Sequence, residues 1–187
     1  MIRKAQPADA KMVAPLIYTV LEDMELDLIL KVDKKDWIKV LEKAFKVDDH
    51  RYSYQNAFVN EYEGTVAGVA FGYPEEMEAG IDEAFDEFLI ELGLPQDVQL
   101  FNDKEAYPNE WYLDTLSVNP DFQGLGVGTQ LLEMLPTFVK TMEINKIGLN
   151  VDEQNGRAEK LYRKIGYQKV GSLTLGTHPY SHLQLEI

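Results

Sequence analysis

The sequence contains no cysteine and no long apolar run, and from Tyr52 to Asp103 it contains neither lysine nor arginine. The absence of cysteine excludes disulfides, thiolate metal sites and a cysteine nucleophile. No apolar stretch reaches the roughly 18 residues that a membrane-spanning helix needs. The first residues, from Met1 to Asp9, lack the apolar run of a signal peptide. We therefore predict a cytoplasmic protein with no membrane segment.

Acidic residues dominate the charge, and the formal net charge is −14. Nucleic-acid binding depends on clustered lysine and arginine, so we expect no nucleic-acid partner. Twelve of the aspartates and glutamates lie between Tyr52 and Asp103. Two interpretations of this stretch stay open: a solvated face that keeps the protein in solution, or a field that attracts a cationic substrate.

Periodicity in the first part of the chain predicts two helices and a hairpin after a short strand. Apolar residues recur at helical spacing from Ala10 to Met24, after a possible N-cap at Asp9, and again after Asp33. The alternation from Leu26 to Val32 favours an extended connection. The predicted strands are Ile2–Ala5, then 56–62 and 65–73, which flank the turn Glu63-Gly64.

Residues 74–109 carry much of the acid and follow the hairpin. An apolar stripe predicts an amphipathic helix over 75–92, which Gly93 would end, and residues 94–109 are irregular in pattern. We call residues 74–109 the acidic segment. We interpret it as a helical insertion in a single domain of residues 1–187, because no linker or repeat divides the chain.

The rest of the chain alternates between strand and helix patterns, which predicts a mixed α/β sheet with helices packed on it. Strands are predicted at Trp111–Val118, 147–151, 167–175 and 182–187, and helices at about 125–142 and 155–165. Pro136 lies inside the first of these helices and should kink or interrupt it, because proline lacks the N–H that would bond to the carbonyl of Leu132.

Three alternating glycines, at positions 124, 126 and 128, lie where a strand leads into a helix. The start of a helix has unpaired N–H groups and a partial positive charge, so this turn is suited to a phosphate group. A P-loop is excluded because Thr129-Gln130 follows the last glycine. A dinucleotide site, with Asp152 as the ribose-binding acid, and an ordinary strand–helix turn remain as alternatives.

Two motifs in the second half resemble those of the GNAT acetyltransferases. The first is Gln123-x-x-Gly126-x-Gly128, and the second is Asn155-x-x-Ala158-x-x-Leu161-Tyr162-x-x-x-Gly166-Tyr167. The resemblance implies the acyl-CoA N-acyltransferase fold, α/β with a mostly antiparallel central sheet and helices on both faces. It also implies acetyl-CoA as cosubstrate, no metal, and a small-molecule or peptide amine as acceptor.

The resemblance also implies which residues hold the coenzyme, in a family whose central strands separate to admit it. Main-chain groups of Leu116, Ser117 and Val118 would bind the pantetheine arm, and Asn155 would contact the same arm. Asn155 is equally suited to being a plain helix N-cap. The amides that would surround the diphosphate belong to Gln123, Gly124, Leu125, Gly126, Val127, Gly128 and Thr129.

For catalysis the resemblance points to Tyr162, whose hydroxyl can donate a proton to the departing thiolate. The alternative for Tyr162 is a core tyrosine on the inward face of its helix. An ammonium acceptor must also lose a proton, and Asp114 is our candidate base because strand alternation places it on the same side as Leu116. A buried structural aspartate is the alternative. His178 and His182 are weaker candidates.

One departure from the family pattern limits the assignment. Relatives that acetylate protein N-termini carry a glutamate where this chain has Asn150, and an amide cannot act as a base. Two further functions therefore stay open: a catalytically inactive CoA-binding module, and a dinucleotide-dependent oxidoreductase. A homodimer formed through the closing strands is possible.

Overall fold

Seven strands and six α-helices make up the regular structure of the residues described by the computed structural model, which are 1–24, 27–95 and 97–187. The strands are β1 (Ile2–Lys4), β2 (Ala57–Tyr62), β3 (Thr65–Pro74), β4 (Trp111–Val118), β5 (Lys146–Asp152), β6 (Gln168–Leu175) and β7 (His178–Glu186). The helices are α1 (Ala10–Asp23), α2 (Asp27–Leu30), α3 (Lys34–Ala44), α4 (Glu83–Glu91), α5 (Val127–Val139) and α6 (Gly156–Ile165).

The strands form one sheet in the order β1-β2-β3-β4-β5-β7-β6. Every neighbouring pair is antiparallel except β4 and β5, which run parallel. A parallel pair needs a crossover connection, and α5 supplies it. The predicted mixed, mostly antiparallel sheet is therefore confirmed.

Helices cover both faces of the sheet, as predicted. Successive side chains of a strand point to opposite faces, so Val59 joins a core with α1, α3 and α4 while Phe58 joins a core with α5 and α6. Trp37 is fully buried in the first core and Trp111 almost fully buried in the second. In the part of the chain that the structure describes, no helix is long and apolar enough to cross a membrane.

The hairpin of β2 and β3 confirms the predicted turn. Its two central residues, Glu63 and Gly64, have φ angles of +48° and +80°. Two consecutive left-handed residues are typical of the two-residue turn that joins antiparallel strands.

The predicted continuous helix over 75–92 is wrong. Residues Glu75–Met77 form a short 3₁₀ turn, and α4 begins only at Glu83. Gly80 lies between them with a φ of +86°, a left-handed conformation that a helix cannot contain. Two residues of the predicted apolar stripe are buried, Phe85 on α4 and Ile81 in the turn that precedes it, whereas Met77 is exposed.

The connection from Leu26 to Val32 also differs from the prediction. Residues 27–30 form the short helix α2 instead of an extended segment, and residue 26 lies outside the described residues. Ile29 is buried in the first core, and its carbonyl accepts a hydrogen bond from Trp37 Nε1 at 3.2 Å. This tertiary contact, absent from any local pattern, holds the segment in its helical form.

Pro136 does not interrupt α5, which runs unbroken to Val139. Its inward side chains Leu131, Leu132 and Leu135 are fully buried. Their packing holds the helix together despite the one backbone bond that proline removes. The helix starts later than predicted, at Val127, because of the glycine turn that precedes it.

Candidate active site

β4 and β5 are paired at only two positions and then separate. The pairs are Trp111 with Ile147 and Tyr112 with Gly148, although both strands continue well beyond them. On its other edge β4 stays paired with β3 up to Val118. Beyond Tyr112, the main-chain groups of β4 that face β5 thus have no strand partner. The separation agrees with the strand arrangement that the family resemblance implies.

The glycine turn leads directly into α5. Gly124 and Gly126 have φ angles of +80° and +79°, and Gly126 is the N-cap residue. Gln130 donates the first intrahelical bond, to the Gly126 carbonyl at 2.9 Å. The amides of Val127 and Gly128 precede that bond, so they point out of the helix start, where an anion is stabilised. The left-handed glycines explain why α5 cannot begin at Leu125.

A cavity of about 490 Å³ lies between the separated part of β4, the glycine turn and the start of α6. Among the described residues that line it there is no carboxylate and one cation, Arg157. In a chain of net charge −14 this composition fits an anionic ligand. The cavity is lined by Leu116, Val118, Phe122, Gln123, Gly124, Gly126, Val127, Gly128, Thr129, Asn155, Arg157, Ala158, Leu161 and Tyr162.

The lining contains most of the residues proposed to bind the coenzyme, and two of them are absent from it. Ser117 is buried, and it alternates along β4 with the lining residues Leu116 and Val118. Leu125 is 58% exposed. Their proposed contacts with the coenzyme are through main-chain groups.

Asn155 is the N-cap of α6 and also lies at the cavity. Its Oδ1 accepts a hydrogen bond from the Ala158 amide at 3.1 Å, which caps α6. The same residue lines the cavity. The starts of α5 and α6 therefore both face the cavity, and their dipoles add to its positive potential.

Tyr162 lies in the wall of the cavity on the inward face of α6. Its ring meets that of Tyr167 edge to face, with 5.9 Å between centroids. Burial raises the pKa of Tyr162 to about 12. The hydroxyl is therefore protonated at neutral pH and can act as a hydrogen-bond donor or acid.

A buried arginine, Arg51, binds three carboxylates on the side of β4 opposite the cavity. The side chain of Arg51 is 2% exposed. It donates through Nε and Nη2 to Asp82 at 2.6 and 2.8 Å, and through Nη1 to Glu105 at 2.9 Å and Asp114 at 2.7 Å. Despite the desolvation of the guanidinium, its pKa is raised well above the usual value by the carboxylates of Asp114 and Glu105.

Asp114 does not share a face with Leu116, so that expectation is wrong. Phe71 of β3 pairs with Thr115 and Gly72 pairs with Leu113, so Asp114 is an extra residue, a β-bulge, in β4. A bulge breaks the alternation of side chains. The Asp114 carboxylate faces Arg51 and is only 3% exposed. Burial raises the pKa of Asp114 to about 6 although Arg51 opposes the shift.

A row of buried polar side chains crosses from β7 to β4. His182 Nδ1 donates to Asn150 Oδ1 at 2.6 Å, and His182 Nε2 faces Glu110 Oε2 at 3.1 Å. Asn150 Nδ2 donates to the Tyr112 hydroxyl at 3.1 Å. Gly148 leaves room for this row, because a Cβ there would lie 1.9 Å from Glu110 Oε2. His182 is thus a buried member of a network that reaches the point where β4 and β5 separate.

The acidic segment borders a second cavity, also of about 490 Å³. Seven carboxylates and two cations, Arg51 and Lys104, line it. One cavity is therefore rich in negative charge, and the other is lined by no carboxylate of the described residues. The carboxylates are those of Glu75, Glu76, Glu78, Asp82, Glu83, Asp86 and Asp103. No group of three or more such side chains within the described ranges is arranged to hold a metal.

Several residues of the site could not be singled out from sequence. Arg157 follows Asn155 closely but belongs to no motif, and Glu105 and Glu110 lie in a stretch without periodicity. The one available signal was for Arg51, which immediately precedes the long stretch without a basic residue. A buried carboxylate needs an opposite charge beside it, and Arg51 is the nearest cation in sequence to this acidic stretch on its N-terminal side.

Comparison with known proteins identifies the class of the fold and site. Residues 22–167 match the acetyltransferase (GNAT) family. The chain therefore belongs to the GNAT family, and its class is that of an acetyl-CoA-dependent acyltransferase.

Solved structures and a curated relative give the same class. One crystal structure of an acetyltransferase is 42% identical, with a TM-score of 0.90, and the match covers 100% of this chain and 99% of that one. An N-acetyltransferase from Staphylococcus aureus Mu50 is 34% identical, with a TM-score of 0.87 and coverage of 99% and 100%. The N-alpha-acetyltransferase RimI of Mycobacterium tuberculosis is 38% identical over 64 residues, which is 34% of this chain and 39% of that relative.

Replacing Arg157 by glutamine should weaken coenzyme A binding about fivefold to tenfold, because it removes the one cation that lines the cavity. A change of tenfold corresponds to about 1.4 kcal/mol, close to the lower end of the usual range of about 1.5–3 kcal/mol for a hydrogen bond to a charged group. Titration calorimetry at low salt would measure it. Arg163→Gln is the matched control on the same helix, since Arg163 pairs with Glu159 and lies outside the cavity wall. Equal Kd values for the two variants would contradict the assignment.

Proposed function

We propose that the protein transfers the acetyl group of acetyl-CoA to a primary amine by direct attack. The observation that carries this proposal is the carboxylate-free cavity, where two helix starts and the unpaired edge of β4 meet. The diphosphate would lie against the amides of Val127 and Gly128, and the pantetheine arm along the main chain of Leu116 and Val118. Tyr162 would give its proton to the departing sulfur.

The proton acceptor would come from the other side of β4. The carboxylates around Arg51 are the candidates there, and Asp114 is the one proposed from the sequence. An aliphatic ammonium has a pKa of about 10.4, so a base must accept its proton before attack, and a nearby carboxylate can do so. Burial raises the pKa of Asp114 to about 6, and because its side chain is only 3% exposed, access decides which of these carboxylates can receive the proton.

The acceptor is proposed as a class only: a small cationic amine, or a lysine or peptide amine. The relative named N-alpha-acetyltransferase RimI supports a peptide amine. Asn150 weighs against a reaction that uses residue 150 as the base. The seven carboxylates beside Arg51 support an acceptor that carries positive charge.

Thermal unfolding in the presence of CoA, acetyl-CoA, NAD and ATP tests the coenzyme. At a ligand concentration of 100 Kd the stabilisation should be about 2.7 kcal/mol for CoA and acetyl-CoA. Stabilisation by NAD without a response to CoA would replace this proposal by the dinucleotide-dependent oxidoreductase.

An acceptor panel with thiol detection tests the reaction. The panel comprises polyamines, amino acids, aminoglycosides and lysine peptides, each supplied with acetyl-CoA. Thiol release above the rate without acceptor supports the proposal. Tight CoA binding with no release on any member would indicate the catalytically inactive CoA-binding module instead.

A further inference from the structure

Glu105, from the acidic segment, reaches the point where β4 and β5 separate. Its Oε2 accepts a hydrogen bond from the Tyr112 hydroxyl at 2.8 Å, and Tyr112 is the last residue of β4 that pairs with β5. Its main-chain oxygen accepts a bond from Asn150 Nδ2 at 3.0 Å. Both strands that border the gap therefore hold this one residue.

The carboxylate of Glu105 is held in place but still has free hydrogen-bond acceptor positions. Oε1 accepts from Arg51 Nη1 at 2.9 Å, and Oε2 accepts from Tyr112. A carboxylate offers about four acceptor positions, so each oxygen can take another donor, such as an ammonium N–H. A side chain locked on two sides presents those positions in a constant direction.

Access distinguishes Glu105 from Asp114, which shares the same Arg51 nitrogen. Glu105 lines a cavity of about 130 Å³ together with Tyr180 and other residues of the β6–β7 hairpin. Asp114 lines none of the three cavities described for this chain, and its side chain is 3% exposed against 11% for Glu105. Of the two carboxylates, Glu105 is therefore the more accessible to an acceptor.

The polar row from β7 gives Asn150 a positioning role. His182 holds the Asn150 oxygen, which turns the amide nitrogen toward the Glu105 main chain and the Tyr112 hydroxyl. Residue 150 therefore does not need to be a base. It holds the main chain of Glu105 in place.

We propose that Glu105 is the group that accepts the proton of the amine, and this rests on the function proposed above. The amine nitrogen bonds to the acetyl carbonyl carbon while the carbon–sulfur bond breaks. The ammonium proton passes to Glu105 and on to solvent before attack. Tyr162 gives its proton to the departing sulfur, and a second N–H proton leaves the nitrogen and returns through solvent to the Tyr162 oxygen, so the products are an amide, a thiol and the one proton released through Glu105.

Other ionisable groups face Glu105 from the elements packed around it. Asp114 reaches it through the shared Arg51 nitrogen, and a carboxylate oxygen of Glu78 accepts from its amide. The remaining groups lie on β3 or β4 or line the same small cavity. Among the described residues the groups include Arg51, Tyr73, Glu78, Asp103, Tyr112, Asp114, His178 and Tyr180.

The test compares Glu105→Gln with Asp114→Asn, two neutral isosteres beside the same arginine. The acceptor is whichever member of the panel releases thiol fastest with the wild-type protein. At pH 7 we expect kcat/KM to fall at least 100-fold for Glu105→Gln and less than fivefold for Asp114→Asn. Raising the pH should narrow the deficit of Glu105→Gln, because more of the amine is then unprotonated.

Stabilisation by CoA is the control for folding, and it should be unchanged in both variants. If Glu105→Gln fails to fold, Glu105→Asp keeps the charge and should lower kcat about tenfold with the acid limb of the pH profile retained. Full activity of Glu105→Gln, or of Glu105→Asp where the first does not fold, overturns the inference, as does a larger loss in Asp114→Asn. If the wild-type protein shows no turnover with any amine, the proposed function fails instead.

Discussion

Replacing Tyr162 by phenylalanine is expected to lower kcat more than tenfold and to leave the Kd for acetyl-CoA nearly unchanged. The substitution removes one hydroxyl from the cavity wall and keeps the ring that packs on Tyr167. With a pKa of about 12, Tyr162 is a weaker acid than the coenzyme thiol, whose pKa is about 8.5. Its hydroxyl therefore donates most strongly to the sulfur when negative charge has built up there during cleavage of the carbon–sulfur bond. An interaction made mainly in the transition state changes kcat more than binding.

Tyr167→Phe is the matched control for this experiment. The Tyr167 hydroxyl is buried and has no hydrogen-bond partner among the described residues, and it lies outside the cavity wall. Its removal should leave kcat unchanged and should not lower stability, because an unpartnered buried polar group is itself unfavourable. Stopped-flow thiol detection would give kcat, and calorimetry would give the Kd. Unchanged turnover in Tyr162→Phe would remove the proposed role of this hydroxyl.

Replacing Arg51 by methionine should destabilise the protein by about 3–5 kcal/mol at pH 7, the usual cost of removing one partner from a buried ion pair. Asp82, Glu105 and Asp114 would lose their shared cation. Asp114 already has its pKa raised to about 6 with the arginine present, and without it the pKa must rise further.

The pH dependence of this variant has a definite sign. A carboxyl whose pKa is higher in the folded than in the unfolded state binds more protons when folded, so stability falls as pH rises through that range. The variant should therefore recover stability between pH 7 and pH 5, and its deficit relative to the wild type should shrink. Urea unfolding at the two pH values would measure this.

Arg163→Met is the control, because it removes an arginine that pairs with Glu159 on the surface of α6. Exposed pairs contribute about 0–1 kcal/mol, so little change is expected at either pH. Arg51→Lys should give an intermediate loss, since an ammonium cannot match the two-pronged bond to Asp82. A loss in Arg51→Met as small as the control, or one that does not shrink in acid, would contradict this account of the cluster.

Local patterns predicted the elements that depend on local chemistry. The hairpin turn at Glu63-Gly64 and the strand Trp111–Val118 follow from turn residues and alternation, and both are found where predicted. The cavity followed from the glycine motif together with Asn155 and Tyr162. These features are encoded within short stretches of sequence.

Features that depend on contacts between distant residues could not be predicted. The bulge at Asp114 is a property of the register between β3 and β4, and a single strand's alternation cannot reveal it. Arg51 and Glu105 are 54 positions apart and meet only in the folded protein. The break at Gly80 shows a related limit, because one glycine in a strongly amphipathic stretch does not reveal its backbone angles.

The early separation of β4 and β5 has a mechanical consequence. The sheet consists of a four-stranded half and a three-stranded half, and only two residue pairs join them directly. Backbone amides along this seam, such as those that face β5 near Leu116, should exchange with deuterated solvent quickly in the empty enzyme. An extended chain of atoms laid along β4 would occupy their donors and connect the two halves, so the cosubstrate would act as a temporary eighth strand.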